Sequence, residues 1–237
     1  KVILKYNPVI DKVTSSLETP LLIAVKNNNS EITEALLREG ADVDFTDRHG
    51  ANALHHSSIN GYLELTDLLL YYNAFIDAKS DEGTTPLLAS IMAGYADVAD
   101  LLIQKGANME ARDNEGFTSF LMTSFYGDTL IMDLLFRNGV DIYATNKSKY
   151  NALALSIVSD QPEATKYLLR IGDRWTNSVE NALSPYAVAS KYRRKDMISI
   201  LNDNKVPGRI KYGIDQVAIT VSSRFATKDI YTGFSLS

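Results

Sequence analysis

Thr85-Pro86-Leu87 is one of six related triplets, with Thr19-Pro20-Leu21, Asn52-Ala53-Leu54, Thr118-Ser119-Phe120, Asn151-Ala152-Leu153 and Ser184-Pro185-Tyr186, whose first residues are spaced 33 apart without a break. A second column keeps the same step through Gly40, Asn73, Gly106, Gly139 and Gly172. Three residues further on, Val43, Ile76, Met109, Ile142 and Trp175 form a third. A fixed period of this length marks an array of small structural units, each too small to bury its own apolar face.

Within a unit the residue pattern predicts two short helices. Thr, Asn or Ser offers a side-chain oxygen to cap the first, and proline fits its opening position, where a missing N–H costs nothing. Gly61, Gly94 and Gly127 predict its end. The second helix carries apolar residues at i, i+3 and i+4, as in Ile32, Ala35, Leu36, in Leu65, Leu68, Leu69, in Val98, Leu101, Leu102 and in Ile131, Leu134, Leu135. Ala164, Tyr167, Leu168 and Met197, Ile200, Leu201 continue the same face. Gly106 and Gly139 are expected at positive φ. Leu17, Lys149 and Ala182 depart from the loop glycines Gly50, Gly83 and Gly116, and Gly172-Asp173-Arg174-Trp175 departs from the usual end of a unit.

The pattern is similar to the ankyrin repeat, whose signature T-P-L-H-x-A is matched loosely by Asn52-Ala53-Leu54-His55-His56-Ser57 and Thr85-Pro86-Leu87-Leu88-Ala89-Ser90. Leu36-Leu37-Arg38-Glu39-Gly40-Ala41-Asp42-Val43 and Asp113-Asn114-Glu115-Gly116-Phe117-Thr118 extend the resemblance, which covers residues 1–205. It begins inside a repeat, since Ile3 to Asp11 aligns with Leu36 to Asp44. The expected fold is all-α: an ankyrin-repeat solenoid of stacked helix-turn-helix units with a small C-terminal β-hairpin. Residues 1–13 read as an N-terminal half-repeat or cap and 14–205 as the repeats. Residues 206–237 read as the hairpin, because after Asn202-Asp203-Asn204-Lys205-Val206-Pro207-Gly208 the apolar spacing falls to two, in Val217, Ile219 and Val221. That tail could also open a larger β-domain, an isolated hairpin being marginal in water.

The resemblance implies a non-catalytic scaffold that binds another protein through loop tips and the open side of the first helices, on a concave face. Carried over residue by residue, the second unit offers Arg48, His49, Ala51, His56, Ile59 and Asn60, and the third offers Asp81, Glu82, Thr84, Met92 and Ala93. The fourth offers Asn114, Glu115, Phe117, Met122, Phe125 and Tyr126, and the fifth Lys147, Ser148, Tyr150, Val158 and Ser159. Phe117, Phe125, Tyr126 and Tyr150 are expected to gather as an aromatic patch between acids and Lys147, the composition of a binding hot spot. Phe125 is expected to face outward.

Of 237 residues 45% are hydrophobic and 22% charged, with net charge −5 and no cysteine. That composition describes a folded chain and excludes disulfides, thiolate metal sites and a cysteine nucleophile. The acidic balance gives no general attraction to nucleic acid, and no apolar run is long enough for a transmembrane helix. Phosphate-loop, G-x-S-x-G, H-E-x-x-H and Ca²⁺-loop motifs are missing, so no enzyme and no cofactor are expected. His49, His55 and His56 fall close together. The resemblance gives His55 a loop-bridging role, while Asp47, His49 and His56 would form the metal site of an alternative sensor reading. Lys191, Arg193, Arg194 and Lys195, with Lys205, Arg209 and Lys211, make a basic patch expected to be a solvated cap face. A monomer is expected, cytoplasmic by frequency alone. The other alternative is a repeat module of an exported bacterial cell-envelope protein serving a β-domain beyond Ser237.

Overall fold

The computed structural model describes residues 10–172, 184–204 and 206. The predicted hairpin, the half-repeat's first nine residues, Trp175 and Ala182 lie outside these.

The chain runs through α1 (Pro20–Lys26), α2 (Ser30–Arg38), α3 (Ala53–Ile59), α4 (Leu63–Tyr71), α5 (Pro86–Ala93) and α6 (Ala96–Gln104). It continues through α7 (Ser119–Tyr126), α8 (Thr129–Arg137), α9 (Ala152–Val158), α10 (Pro162–Ile171), α11 (Pro185–Lys191) and α12 (Lys195–Asp203). Odd-numbered helices start 33 residues apart, and so do even-numbered ones. First helices pack on first helices and second on second, giving an all-α, two-layer ankyrin-repeat solenoid. Among the described residues, extended pairing is limited to a single antiparallel bridge between Thr145 and Asn151.

The helices start where the capping chemistry predicts. Thr19, Asn52, Thr85, Thr118 and Asn151 each accept a hydrogen bond from a backbone N–H of the first turn. Gly94 and Gly127 end α5 and α7 in the left-handed conformation, at φ 79° and 80°. Gly106 and Gly139 also take positive φ, at 93° and 81°.

The core lies between the layers, where Leu54, Leu65, Leu69, Leu102, Phe120, Ile131, Leu135 and Leu168 are fully buried. Burying a leucine contributes roughly 1.5–3 kcal/mol, so this apolar column supplies most of the stack's cohesion. One position departs from the expectation. Ile32 is 51% exposed where Leu65, Val98 and Ile131 are fully buried, because α2 belongs to the first pair of the described stack. Gly172, where the sequence departs from the usual end of a unit, is extended at φ −116° rather than left-handed like Gly106 and Gly139.

Candidate functional site

Each loop tip is built around one polar side chain folded under it. Asp47 Oδ1 accepts the N–H groups of His49 at 2.9 Å and Ala51 at 3.1 Å. Asp113 Oδ1 does the same for Glu115 and Phe117, at 2.9 and 2.8 Å. Ser80 and Asn146 occupy the same position in their units and accept from Thr84 and Tyr150. These residues are buried, and the two residues that follow each of them turn outward.

Successive tips are also tied to one another. Asp81 N–H donates to the His49 carbonyl, Asn114 N–H to Glu82 and Lys147 N–H to Glu115, each at 3.0 Å. The close approach explains the glycines: a Cβ on Gly83 would lie 2.9 Å from the Asn114 nitrogen, and one on Gly116 the same distance from Lys147 N. Lys149 and Leu17 hold the same left-handed turn without being glycine, at φ 65° and 59°. With tip backbones bonded on both sides, Arg48, His49, Asp81, Glu82, Asn114, Glu115 and Lys147 present exposed side chains from a braced scaffold.

The first helices supply the adjoining surface. Met92, Phe125, Tyr126 and Asn60 are half-buried, whereas Ile59, at 8%, is largely covered. Phe125 sits between two rings, edge-on to Phe117 at 6.1 Å and to Tyr126 at 5.4 Å. The patch is therefore contiguous, but its depth differs from the expectation. Phe117 is 4% exposed and Tyr150 3%. Both rings fold back onto the stack after the left-handed tip residues Gly116 and Lys149, and Phe117 forms a floor beside Phe125 rather than an open surface. Ala51, Thr84 and Met122 are likewise buried.

Burial, and secondarily the Asp113 charge, push the Tyr126 phenol up to about 12. Tyr150 is raised further by burial and by its bond to Tyr192, the two hydroxyls standing 3.2 Å apart. Both phenols stay protonated and keep a hydroxyl hydrogen to donate. Sequence reasoning missed Tyr192 on this surface. Its signal was the period itself, since Tyr192 stands two repeats beyond Tyr126.

His55 has the loop-bridging role. Its Nε2 lies 2.9 Å from the Thr84 carbonyl, and its Nδ1 faces the Asn52 cap. Desolvation lowers its pKa to about 4, leaving the ring neutral. His56 Nε2 stands 2.8 Å from Asp47 Oδ2, with Lys26 Nζ 3.6 Å from the same oxygen. Burial alone would raise the Asp47 pKa, but the His56 bond and the backbone donors of His49 and Ala51 hold it well below the usual carboxylate range. The His49 side chain is exposed, and among the described residues no three His, Asp or Glu groups converge on a metal-sized point.

The sequence comparisons agree with this architecture. Residues 2–80 and 21–113 match the family described as ankyrin repeats (3 copies). One stretch is 38% identical over 58 residues to the nuclear factor NF-kappa-B p105 subunit of Gallus gallus, covering 24% of this chain and 6% of that protein. Another is 54% identical over 43 residues to an ankyrin repeat and KH domain-containing protein of Caenorhabditis briggsae, 18% of this chain and 2% of that one. A third is 51% identical over 37 residues to a putative ankyrin repeat protein of Rickettsia prowazekii, 16% of this chain and 35% of that one. The chain thus spans well under two thirds of each relative. It belongs to the ankyrin-repeat family. Ankyrin repeats are in general protein–protein interaction modules and typically non-catalytic. No described helix is long and apolar enough to cross a membrane.

Proposed function

We propose that this protein is a non-catalytic scaffold that holds a partner protein against its loop tips and the open side of its first helices, with Phe125 and Tyr126 at the centre. The observation that carries this reading is the contiguous Phe117–Phe125–Tyr126 ring stack, half open to solvent above a buried floor. Rings held edge-on in a packed setting lose little rotamer freedom on association, so their burial converts efficiently into affinity. The hydrogen-bonded tips act the same way for polar contacts. The charge balance of −5 gives no general attraction to nucleic acid, which favours a protein partner.

Photo-crosslinking tests the reading. A photoreactive phenylalanine at Tyr126 should capture one protein partner, and the same group at Leu130, which is exposed on α8, should not. Adding Phe125→Ala should weaken binding by more than about 1 kcal/mol. Capture that is equal from both positions, or indifferent to Phe125→Ala, would overturn the proposal. Phe117→Ala is not a clean probe, because that ring is part of the packed floor.

A further inference from the structure

We infer that the segment held on this face is an extended polypeptide of split charge, with lysine or arginine at one end, an aromatic or branched aliphatic residue at the centre, and aspartate or glutamate at the other end. The inference rests on the reading that the partner docks on the loop-tip and first-helix face.

Three features carry the polarity. Asp81, Glu82 and Glu115 project from neighbouring tips, exposed, with no cationic partner among the described residues. One tip further, Lys147 and Lys149 are exposed and equally unpaired among those residues, although Lys147 N–H is bonded to the Glu115 carbonyl. Adjacent acidic and basic tips thus leave their charges pointed at solvent instead of cancelling. Unpaired charges held on a rigid scaffold are the arrangement that steers and orients a charged ligand, because no reorganisation precedes contact.

The first-helix column gives the second feature. It runs Lys26, Ile59, Met92, Phe125, Val158, Lys191, apolar in the middle and cationic at both ends. The ends are not equivalent. Lys26 is neutralised by Glu18 at 2.7 Å, whereas Lys191 has no carboxylate partner among the described residues and rests 5.5 Å over the Tyr192 ring. Only the Lys191 end remains available to an acidic group.

Distance supplies the third. From the tip of the third unit to that of the fifth is two repeat steps, about 20 Å at about 10 Å per packed helix layer. An extended chain at about 3.3 Å per residue covers that span in about six residues. Its middle side chain then lies over Phe125 and Tyr126, with its basic end at Glu82 and its acidic end at Lys147 and Lys149, while Lys191, one repeat step further on, meets acidic residues that continue the segment.

Selection of displayed random 16-residue peptides on the intact chain tests this. The expected binders carry a basic block and an acidic block flanking one apolar residue. For such a peptide, Glu82→Lys with Glu115→Lys should weaken binding at least tenfold, and replacing the peptide's basic block with an acidic one should restore it. Lys147→Glu with Lys149→Glu should act reciprocally on the acidic block. Binding that requires Phe125 but shows no charge preference overturns the polarity and leaves the docking face standing. Binders indifferent to Phe125→Ala overturn the face itself, and failure to enrich any binder overturns the split-charge occupant.

Discussion

The central helix pairs and the last pair share one 33-residue frame, yet they are held by different bonds. From α3 to α8 each unit has a first-helix side-chain cap and a tip hydrogen-bonded to the next tip. A carboxylate also clasps the following unit: Asp44 accepts from Phe75 N–H, Asp77 from Asn108 and Glu110 from Asp141. The fifth unit carries Tyr143 where the carboxylate would stand, and Gly172 abandons the left-handed turn. In the last pair Ser184 makes no side-chain cap bond. Val188, Ala189, Met197 and Leu201 are nevertheless buried. Side-chain bonds join this pair to the fifth unit, Tyr192 to Tyr150 and Arg194 to Asp160 and the Val158 carbonyl. The shared apolar seam is thus locked by repeated polar columns in the centre and by individual side chains at the last pair.

The largest expected test of that contrast is Leu102→Ala beside Leu201→Ala, both sites being fully buried. Leu102→Ala removes a side chain packed in the middle of the stack and should destabilise by about 3 kcal/mol. Leu201→Ala should instead release the end pair early in denaturant and move the main transition much less, since each repeat is stabilised chiefly by its neighbours. Equal shifts of the main midpoint, followed by circular dichroism, would break the contrast.

Next in size is the pH dependence carried by His55. With a folded pKa lowered from 6.5 to about 4, the unfolded chain binds the proton more readily than the native one. Stability is thus fully present above pH 6.5 and declines as pH falls towards 4, by about 3 kcal/mol at about 1.4 kcal/mol per tenfold difference in proton affinity. Asp47 behaves as a depressed carboxylate, so its contribution is lost at more acidic pH, below its ordinary 3.8. Denaturant midpoints at pH 7.5 and 5 should separate in the wild type and converge in His55→Leu. An unchanged slope in the variant would remove His55 as the cause.

A smaller effect compares two tip turns. Gly83→Ala places a Cβ 2.9 Å from the Asn114 nitrogen at φ 73° and should destabilise by about 2 kcal/mol. Lys149→Gly, at φ 65°, should leave stability within about 0.5 kcal/mol, because relief of the turn and added freedom of the unfolded chain offset each other. Thermal melts of the two variants measure this directly. The least perturbing change is Phe125→Ala. Its ring is half-buried, and truncation should lower stability by only about 1 kcal/mol, measured beside its effect on binding.

The repeat, its helix boundaries, its caps and the apolar column were legible in the sequence, because each follows from local chemistry repeated at a fixed interval. The triplets at Thr19 through Ser184 mark the starts of all the first helices described. The positions of Arg48, Asp81, Glu82, Asn114, Glu115 and Lys147 at exposed tips were legible for the same reason. Only tertiary structure decided how deep each aromatic ring sits, which carboxylates are spent on clasping the next unit, and that Tyr192 joins Tyr150 from another helix pair. The physical reason is that period and capping are properties of one unit, whereas burial and hydrogen-bond partners belong to the contact between two.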